Sequence, residues 1–286
     1  MNHSVLESPF GNRRTRHVIT IATASQKGGV GKTTVCVNLA YSLARRGWNT
    51  LLVDTDPQGA VGLSLAKSMR QKAGFYDFVA SGAEVKDFVL GTRLPEFSIL
   101  PVGHYDAVSR HGLHLEDVPR RIRDLLRGAE LQGFDCVLLD TAAGLTGITE
   151  MVVKASDYAL IPQQSEPLAV RSVPHMLETL ARFRAEGAGT KVAGVLLSMV
   201  MNDSPVSLQV ARELRQVLPT ELVFSQSIPR LQSFLEASAH GLPVALLKKN
   251  PPPEALLFDQ IAAELEERVG LVRDKEEGYR HASLLD

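Results

Sequence analysis

Short apolar runs recur along the chain, and they are too short to be the long helices of a helical bundle. They are rich in β-branched residues and lack the alternation of polar and apolar positions typical of a strand with one exposed face. Such runs indicate strands that are buried on both faces, as in a parallel sheet covered by helices. The predicted strands cover residues 18–24, 50–53, 97–102, 136–139, 158–162, 192–199 and 222–228.

Segments with apolar residues at helical spacing lie between these runs. The predicted helices cover residues 32–46, 118–131, 171–185, 208–218 and 254–269. Strand and helix alternate from residue 18 to about residue 270 without a low-complexity linker or an internal repeat. We therefore expect one α/β domain over residues 18–270, with a mostly parallel sheet and helices on both faces. A flexible basic arm (1–17) and a charged tail (271–286) are expected to flank it.

The composition is that of an ordinary globular protein, with 44% hydrophobic and 22% charged residues among 286. The formal net charge of -1 argues against coating nucleic acid through bulk charge, but it leaves room for a local basic patch. Cys36 and Cys136 lie in separate apolar runs and are expected to be buried, reduced thiols, which fits a cytoplasmic protein. No apolar run approaches the ~18 residues of a membrane span, and no signal peptide is recognisable.

The strongest chemical signal is a glycine-rich loop between the first strand and the first helix, with the sequence SQKGGVGKTT. Glycines allow backbone N–H groups to turn towards a phosphate, and the helix dipole adds to the attraction. Lys32 is expected to bridge the β- and γ-phosphates, and the Thr33 hydroxyl to ligate Mg²⁺. The predicted nucleotide contacts in this loop are Lys27, Gly28, Gly29, Val30, Gly31, Lys32, Thr33 and Thr34.

This loop resembles the deviant Walker A motif of the ParA/MinD ATPases, in which an additional lysine precedes the glycines. Gln26 stands where the ordinary Walker A pattern has glycine, and Lys27 is the additional lysine. The resemblance implies a single-domain P-loop NTPase that uses ATP and Mg²⁺. It also implies that two subunits form a homodimer around two ATP molecules. Lys27 would then contact the ATP of the other subunit and, together with Lys32, assist hydrolysis.

Two acidic segments follow buried strands, where carboxylates can order Mg²⁺ and position a water molecule. The first, DTDPQG, contains Asp54, expected near the metal, and Asp56, which matches the water-orienting residue of the family. A simpler alternative is a turn in which both carboxylates accept backbone N–H groups. The second segment, DTAAG, resembles the family's DTPPG, and Asp140 would hold Mg²⁺ with Thr33 and Asp54. Two alanines in place of prolines are expected to loosen this loop.

The resemblance continues through the second half of the chain, to about residue 270. Glu166, in the segment IPQQSEP, matches a residue that meets the partner's nucleotide or Lys27. Pro229, in the segment SIPR, would lie over the adenine. This segment and the later GLPV point to the ParA branch of the family rather than to MinD.

MinD-type proteins end in a basic amphipathic helix that binds membrane, whereas the last predicted helix here, 254–269, is acidic. Membrane binding is therefore not expected. ParA proteins bind DNA without sequence preference through scattered basic residues, although these can equally be ordinary solvated charges. Ser233 stands where many relatives have an arginine, and the basic residue expected near 202–204 is missing. The candidate DNA contacts are Arg212, Arg215, Arg230, Lys248 and Lys249.

The resemblance implies an ATP-driven segregation or positioning switch that binds nonspecific DNA as the ATP-bound dimer and is released when a ParB-like or cargo-bound protein stimulates hydrolysis. The alternative is a ParA-like ATPase that regulates a protein partner by contact, without DNA. Iron–sulfur relatives on the same fold need loop cysteines, and Cys36 and Cys136 are in a predicted helix and a predicted strand. Tyr279 lacks the neighbouring tyrosines of a tyrosine-kinase relative. The phosphate loop alone is compatible with a biotin-pathway ligase, but Lys27 and DTDPQG argue against it.

Overall fold

The computed structural model describes residues 17–59, 61, 71–107 and 114–272. Its seven-stranded sheet has the order β3-β4-β2-β5-β1-β6-β7, and every neighbouring pair is parallel except the short edge pair β3–β4. The strands are β1 (Ile19–Thr23), β2 (Thr50–Asp54), β3 (Leu90–Gly91), β4 (Phe97–Leu100), β5 (Cys136–Asp140), β6 (Tyr158–Gln164) and β7 (Lys191–Ser198).

Helices cover both faces of this sheet. They are α1 (Lys32–Arg45), α2 (Phe75–Ala80), α3 (Val118–Leu131), α4 (Gly147–Ala155), α5 (Ala169–Ala185), α6 (Pro205–Val217), α7 (Gln232–His240) and α8 (Pro253–Val269). Helices α2 to α6 pack in one hydrophobic core, and α1, α7 and α8 pack in the other. The predicted fold class is therefore confirmed.

The three central strands bring the polar ends of the sheet together. Strands β2 and β5 are buried along their whole length, and β1 is buried apart from its first residue. In the parallel register, Thr23 lies opposite Asp140, and Asp140 lies opposite Asp54. The carboxyl ends of parallel strands share one edge of the sheet, so this register places a hydroxyl and two carboxylates side by side.

The predicted strand at 222–228 is wrong. The segment forms no regular ladder with β7. It is joined to that strand by an isolated bridge between Val195 and Val223 and by N–H bonds from Phe224 and Ile228 to β7 carbonyls. Side chains on helices bind several of its other backbone groups: the Glu264 carboxylate accepts the Ser225 N–H at 3.1 Å. Hydrogen bonds to these distant side chains replace the regular ladder.

Several boundaries and elements differ from the prediction. Helices α5, α6 and α8 begin earlier than predicted, at Ala169, Pro205 and Pro253. Helices α2, α4 and α7 lie outside the predicted ranges; they have only six, nine and nine residues, so few turns carry a helical pattern.

The predicted arm and tail lie, except for residue 17 and residues 271–272, outside the described residues, so the three-part division of the chain stays a prediction. Within the described part, no helix combines the length and the apolar character needed to span a membrane.

Candidate nucleotide-binding site

The glycine-rich loop connects β1 to α1 and has the backbone geometry of an anion site. Gly29 and Gly31 have φ of +76° and +87°, in the left-handed region that favours glycine. A Cβ atom at Gly29 would meet nothing within 4 Å, so the loop is open on that side. No side chain caps the N-terminus of α1, and its first turn has no acidic residue. The free N–H groups and the helix dipole are therefore available to a phosphate.

Lys32 is the first residue of α1 and is only 8% exposed. Burial lowers the pKa of Lys32 from its usual value, while the nearby carboxylates of Asp140 and Asp56 oppose the shift. Its ammonium group is thus held in a dry position beside the loop and two carboxylates. This placement suits a lysine that neutralises phosphate charge.

Asp140 and Thr33 form the centre of the site. The Thr33 hydroxyl donates a 2.7 Å hydrogen bond to Oδ2 of Asp140. Burial raises the pKa of Asp140 to about 7, against the opposing effects of the Thr33 bond and of Lys32. A hydroxyl and carboxylates are the oxygen ligands that Mg²⁺ prefers, with phosphate oxygens and water completing its shell. The residues present therefore fit a magnesium–nucleotide site.

Asp54 makes the contacts of the simpler alternative, a hydrogen-bonded turn. Its carboxylate accepts the N–H groups of Asp56 at 3.2 Å and Val61 at 3.1 Å. Burial raises the pKa of Asp54 well above its usual value, and the Asp140 charge adds to the rise. Asp54 therefore stabilises the turn and lies opposite Asp140. As a metal ligand it would have to keep its hydrogen bonds to these two backbone N–H groups.

Asp56 is half-buried at the same turn. Its Oδ1 accepts the Gln58 N–H at 2.9 Å, as the turn alternative predicts. Its Oδ2 accepts no hydrogen bond from any described residue. One oxygen therefore fixes the turn, and the other can accept a bond from water.

Lys27 and Glu166 meet within one subunit. The Lys27 ammonium forms an ion pair with the Glu166 carboxylate, and the Lys27 side chain is 45% exposed. The sequence predicted that Glu166 meets either a partner's nucleotide or Lys27, and the structure brings the second pair together in cis. Because it faces solvent, this ion pair contributes little to stability and can be exchanged.

The segment containing Pro229 lies along the end of β7. The Ile228 N–H donates to the Leu197 carbonyl at 2.8 Å, and Val200 and Pro229 form an isolated bridge. The neighbouring Ser198 hydroxyl donates to the Val30 carbonyl of the glycine-rich loop at 2.8 Å. Pro229 thus lies beside Val200, just after the end of the strand that also binds the phosphate loop through Ser198.

The candidate DNA contacts do not all have the same surroundings. The Arg215 guanidinium donates to the carbonyls of Phe224 at 2.9 Å and Ser225 at 3.2 Å, so it supports a loop. Ser233, at the position of the missing arginine, donates a 2.9 Å hydrogen bond to Glu254. The candidates that remain exposed are Arg212, Arg230, Lys248 and Lys249.

Two residues of the site were missed by the sequence reasoning. The Thr23 hydroxyl, at the end of β1, donates to the Leu139 carbonyl at 3.0 Å and lies 3.5 Å from Oδ1 of Asp140. The sequence did contain a signal for Thr23, since it is a polar residue at the end of an apolar strand just before the glycine-rich loop. The buried Tyr76 hydroxyl donates to the Thr55 carbonyl at 2.9 Å and has no local sequence signal.

Comparison with known proteins identifies this arrangement. The AAA domain family matches residues 18–192. The chromosome partitioning protein ParA of Caulobacter vibrioides is 33% identical over 234 residues, covering 79% of this chain and 86% of that protein. The chain belongs to the ParA/MinD family of P-loop ATPases. The chromosome-partitioning ATPase Soj of Thermus thermophilus is 34% identical over 252 residues, covering 87% of this chain and 96% of that protein.

A solved structure shows the same fold for the ParA/MinD member MinD. MinD of Pyrococcus horikoshii, complexed with Mg-ADP, has a TM-score of 0.71 at 22% identity, and the match covers 89% of this chain and 98% of that chain. The predictions of an ATPase and of ATP and Mg²⁺ as cofactors are confirmed by this family membership. Both cysteines are buried and free, as predicted.

Proposed function

We propose that this ParA/MinD-family ATPase is a partitioning switch, which dimerises around ATP and Mg²⁺ to position DNA or another cargo. The observation that carries the proposal is Lys27, an exposed second lysine in the same loop that leads to Lys32 and to the Thr33–Asp140 pair. Lys32 already faces the carboxylates of its own site, so Lys27 is available to another subunit. The two sequence relatives described above are themselves named for chromosome partitioning.

The residues of one subunit have separate roles in this proposal. Lys32 and the N–H groups of residues 28–34 bind the phosphates. Thr33, Asp140 and Asp54 would hold Mg²⁺, which would supply positive charge to the phosphates. Asp56 accepts a hydrogen bond from the attacking water through Oδ2, and Pro229 lies against the adenine.

Dimerisation would transfer Lys27 from Glu166 of its own subunit to the ATP of the other. Breaking the Lys27–Glu166 pair would cost little free energy, because an exposed ion pair contributes only about 0–1 kcal/mol to stability. The closed dimer would exclude water from the site. There the Lys27 ammonium would stabilise the charge that develops on the phosphate far more strongly than it stabilises the exposed ion pair with Glu166. Hydrolysis would thereby depend on assembly, and a ParB-like or cargo-bound protein would stimulate it to release the dimer.

In this proposal the ATP-bound dimer binds DNA nonspecifically through Arg212, Arg230, Lys248 and Lys249, so the cytoplasmic protein would associate with the nucleoid. The test measures binding of a duplex by the full chain with ATP, ADP or no nucleotide, at about 50 and 200 mM salt. We expect ATP alone to promote salt-sensitive binding, and Asp56→Ala to bind ATP and remain on DNA. Absence of DNA binding with ATP at low salt would refute the DNA-binding part.

A second candidate function is regulation of a protein partner by contact alone. Two observations favour it: loop carbonyls occupy the Arg215 guanidinium, and Ser233, where the resemblance implies an arginine, bonds the Glu254 carboxylate. An ATP-dependent dimer that does not bind DNA at any salt concentration tested would support this candidate.

Lys32→Ala tests the nucleotide site under both candidates. The substitution removes the buried ammonium, and ATP affinity should be lost. Retained ATP affinity would contradict the assigned site.

A further inference from the structure

Met199 has an unusual backbone conformation at the end of β7. Its φ is +51°, in the left-handed region, and no other non-glycine residue among those described has a positive φ. A left-handed conformation is unfavourable for a long side chain, and glycine would adopt it freely. Such strained residues persist where the surrounding structure holds them, often at functional sites.

The Met199 side chain reaches the phosphate loop. Its terminal methyl carbon lies 3.5 Å from the position that a Cβ atom on Gly31 would occupy. Gly31 is the N-cap of α1 and has its own left-handed conformation. One residue earlier, the Ser198 hydroxyl bonds the Val30 carbonyl at 2.8 Å. The end of β7 therefore binds Val30 through Ser198 and fills the space beside Gly31 with the Met199 methyl group.

The backbone around Met199 reaches the opposite end of the proposed nucleotide site. The Val200 N–H donates to the Ile228 carbonyl at 3.0 Å, and the Arg230 N–H donates to the Val200 carbonyl at 2.9 Å. These two bonds fix the backbone on both sides of Pro229. Met199 immediately follows Ser198, the last residue of β7, so its left-handed turn sets the direction in which Val200 leaves the strand towards Ile228 and Arg230.

We propose that Met199 is a positioning residue of the ATPase, which joins the phosphate loop to the 228–230 segment. Its backbone turn holds this segment against β7, and its side chain keeps Gly31 in the anion-binding conformation. The inference rests on the proposed function, since it takes Gly31 as a phosphate contact and Pro229 as a base contact. ATP affinity then depends on Met199 even without direct contact between its side chain and the nucleotide.

The test separates the side chain of Met199 from its backbone. Met199→Gly removes the side chain and permits the left-handed backbone, whereas Met199→Leu keeps an apolar side chain of similar volume. Met201→Ala is the matched control, because Met201 is also half-buried, lies two residues further on and lacks the positive φ. The measurements are ATP affinity by calorimetry, KM and kcat, and thermal unfolding without nucleotide.

We expect Met199→Gly to weaken ATP binding by about tenfold and raise KM similarly, with kcat at saturating ATP changed by less than about threefold. Its unfolding temperature without nucleotide should change by less than about 5 °C, because relief of the left-handed strain offsets the greater freedom that glycine gives the unfolded chain. Met199→Leu and Met201→Ala should bind ATP within about threefold of the parent.

Unchanged ATP affinity in Met199→Gly would overturn the inference. A fall of more than about 5 °C in its unfolding temperature would also overturn it, since Met199 would then be ordinary core packing. Lys32→Ala, measured alongside, reports on the proposed function separately. If Lys32→Ala abolishes ATP binding and Met199→Gly does not weaken it, only the role of Met199 fails.

Discussion

Replacing Arg268 by Met should destabilise the protein, because this arginine secures the segment that was wrongly predicted as a strand. Its guanidinium lies 4.4 Å from the Phe224 ring centroid and is paired with Glu264 at 2.7 Å. The side chain is only 17% exposed. Three main-chain carbonyls accept its N–H groups, those of Ala193 at 3.1 Å, Val223 at 2.9 Å and Glu221.

The expected magnitude follows from the carbonyls that water cannot reach. Ala193 and Val223 are buried, and a hydrogen bond from a charged donor contributes about 1.5 kcal/mol or more. Glu221 is exposed, so water can replace its bond. Because Met keeps most of the apolar stem, the packing loss is small. We expect about 3 kcal/mol less stability, which corresponds to about 6–12 °C in unfolding temperature for a domain of this size.

The assay is urea and thermal unfolding of the full chain without nucleotide, with Arg182→Met as the matched control. The Arg182 side chain is 64% exposed and lies 3.8 Å from Glu186. Its loss should change stability by less than about 0.5 kcal/mol. A loss below about 1 kcal/mol for Arg268→Met, or equal losses in the two variants, would show that the carbonyls are solvated and refute the reasoning.

Three further predictions concern charged groups at or near the proposed sites. Asp140, whose pKa burial raises to about 7 from the usual 3.8, should make the nucleotide-free protein less stable as pH rises through that interval. Asp140→Asn should therefore be more stable than the parent at pH 8 by about 4 kcal/mol and equal to it near pH 4, and equal stability at pH 8 in unfolding titrations would contradict this. Lys27→Ala should bind ATP normally and change stability by less than about 0.5 kcal/mol, yet hydrolyse ATP more slowly; a loss of ATP affinity in calorimetry would place Lys27 in its own subunit's site. Arg215→Glu should lose about 1.5 kcal/mol of stability because the carbonyl of the buried Phe224 loses its charged donor, whereas Arg212→Glu should lose less than about 0.5 kcal/mol, and equal unfolding temperatures would refute the distinction.

Local chemistry in the sequence was sufficient to predict the sheet and the centre of the site. Runs that are apolar throughout identified six of the seven strands of the sheet, all but the two-residue β3, because burial on both faces leaves few polar positions. The glycines around Lys32 identified the phosphate loop, because a left-handed backbone is a local requirement. Asp54 and Asp140 were located because each ends such a strand, and parallel strands end at one edge.

The tertiary structure decided which polar groups are free and which are committed. The 222–228 segment has strand-like residues, yet Glu264 and Arg268, about 40 residues away, bind its backbone groups. Arg215 looks like any surface arginine in sequence, and only the fold places two carbonyls within its reach. The left-handed turn at Met199 follows from contacts on both of its sides, not from its residue type. Propensity and apolar patterning act over a few neighbouring residues, whereas the partner of a charged side chain is set by the packing of the whole chain.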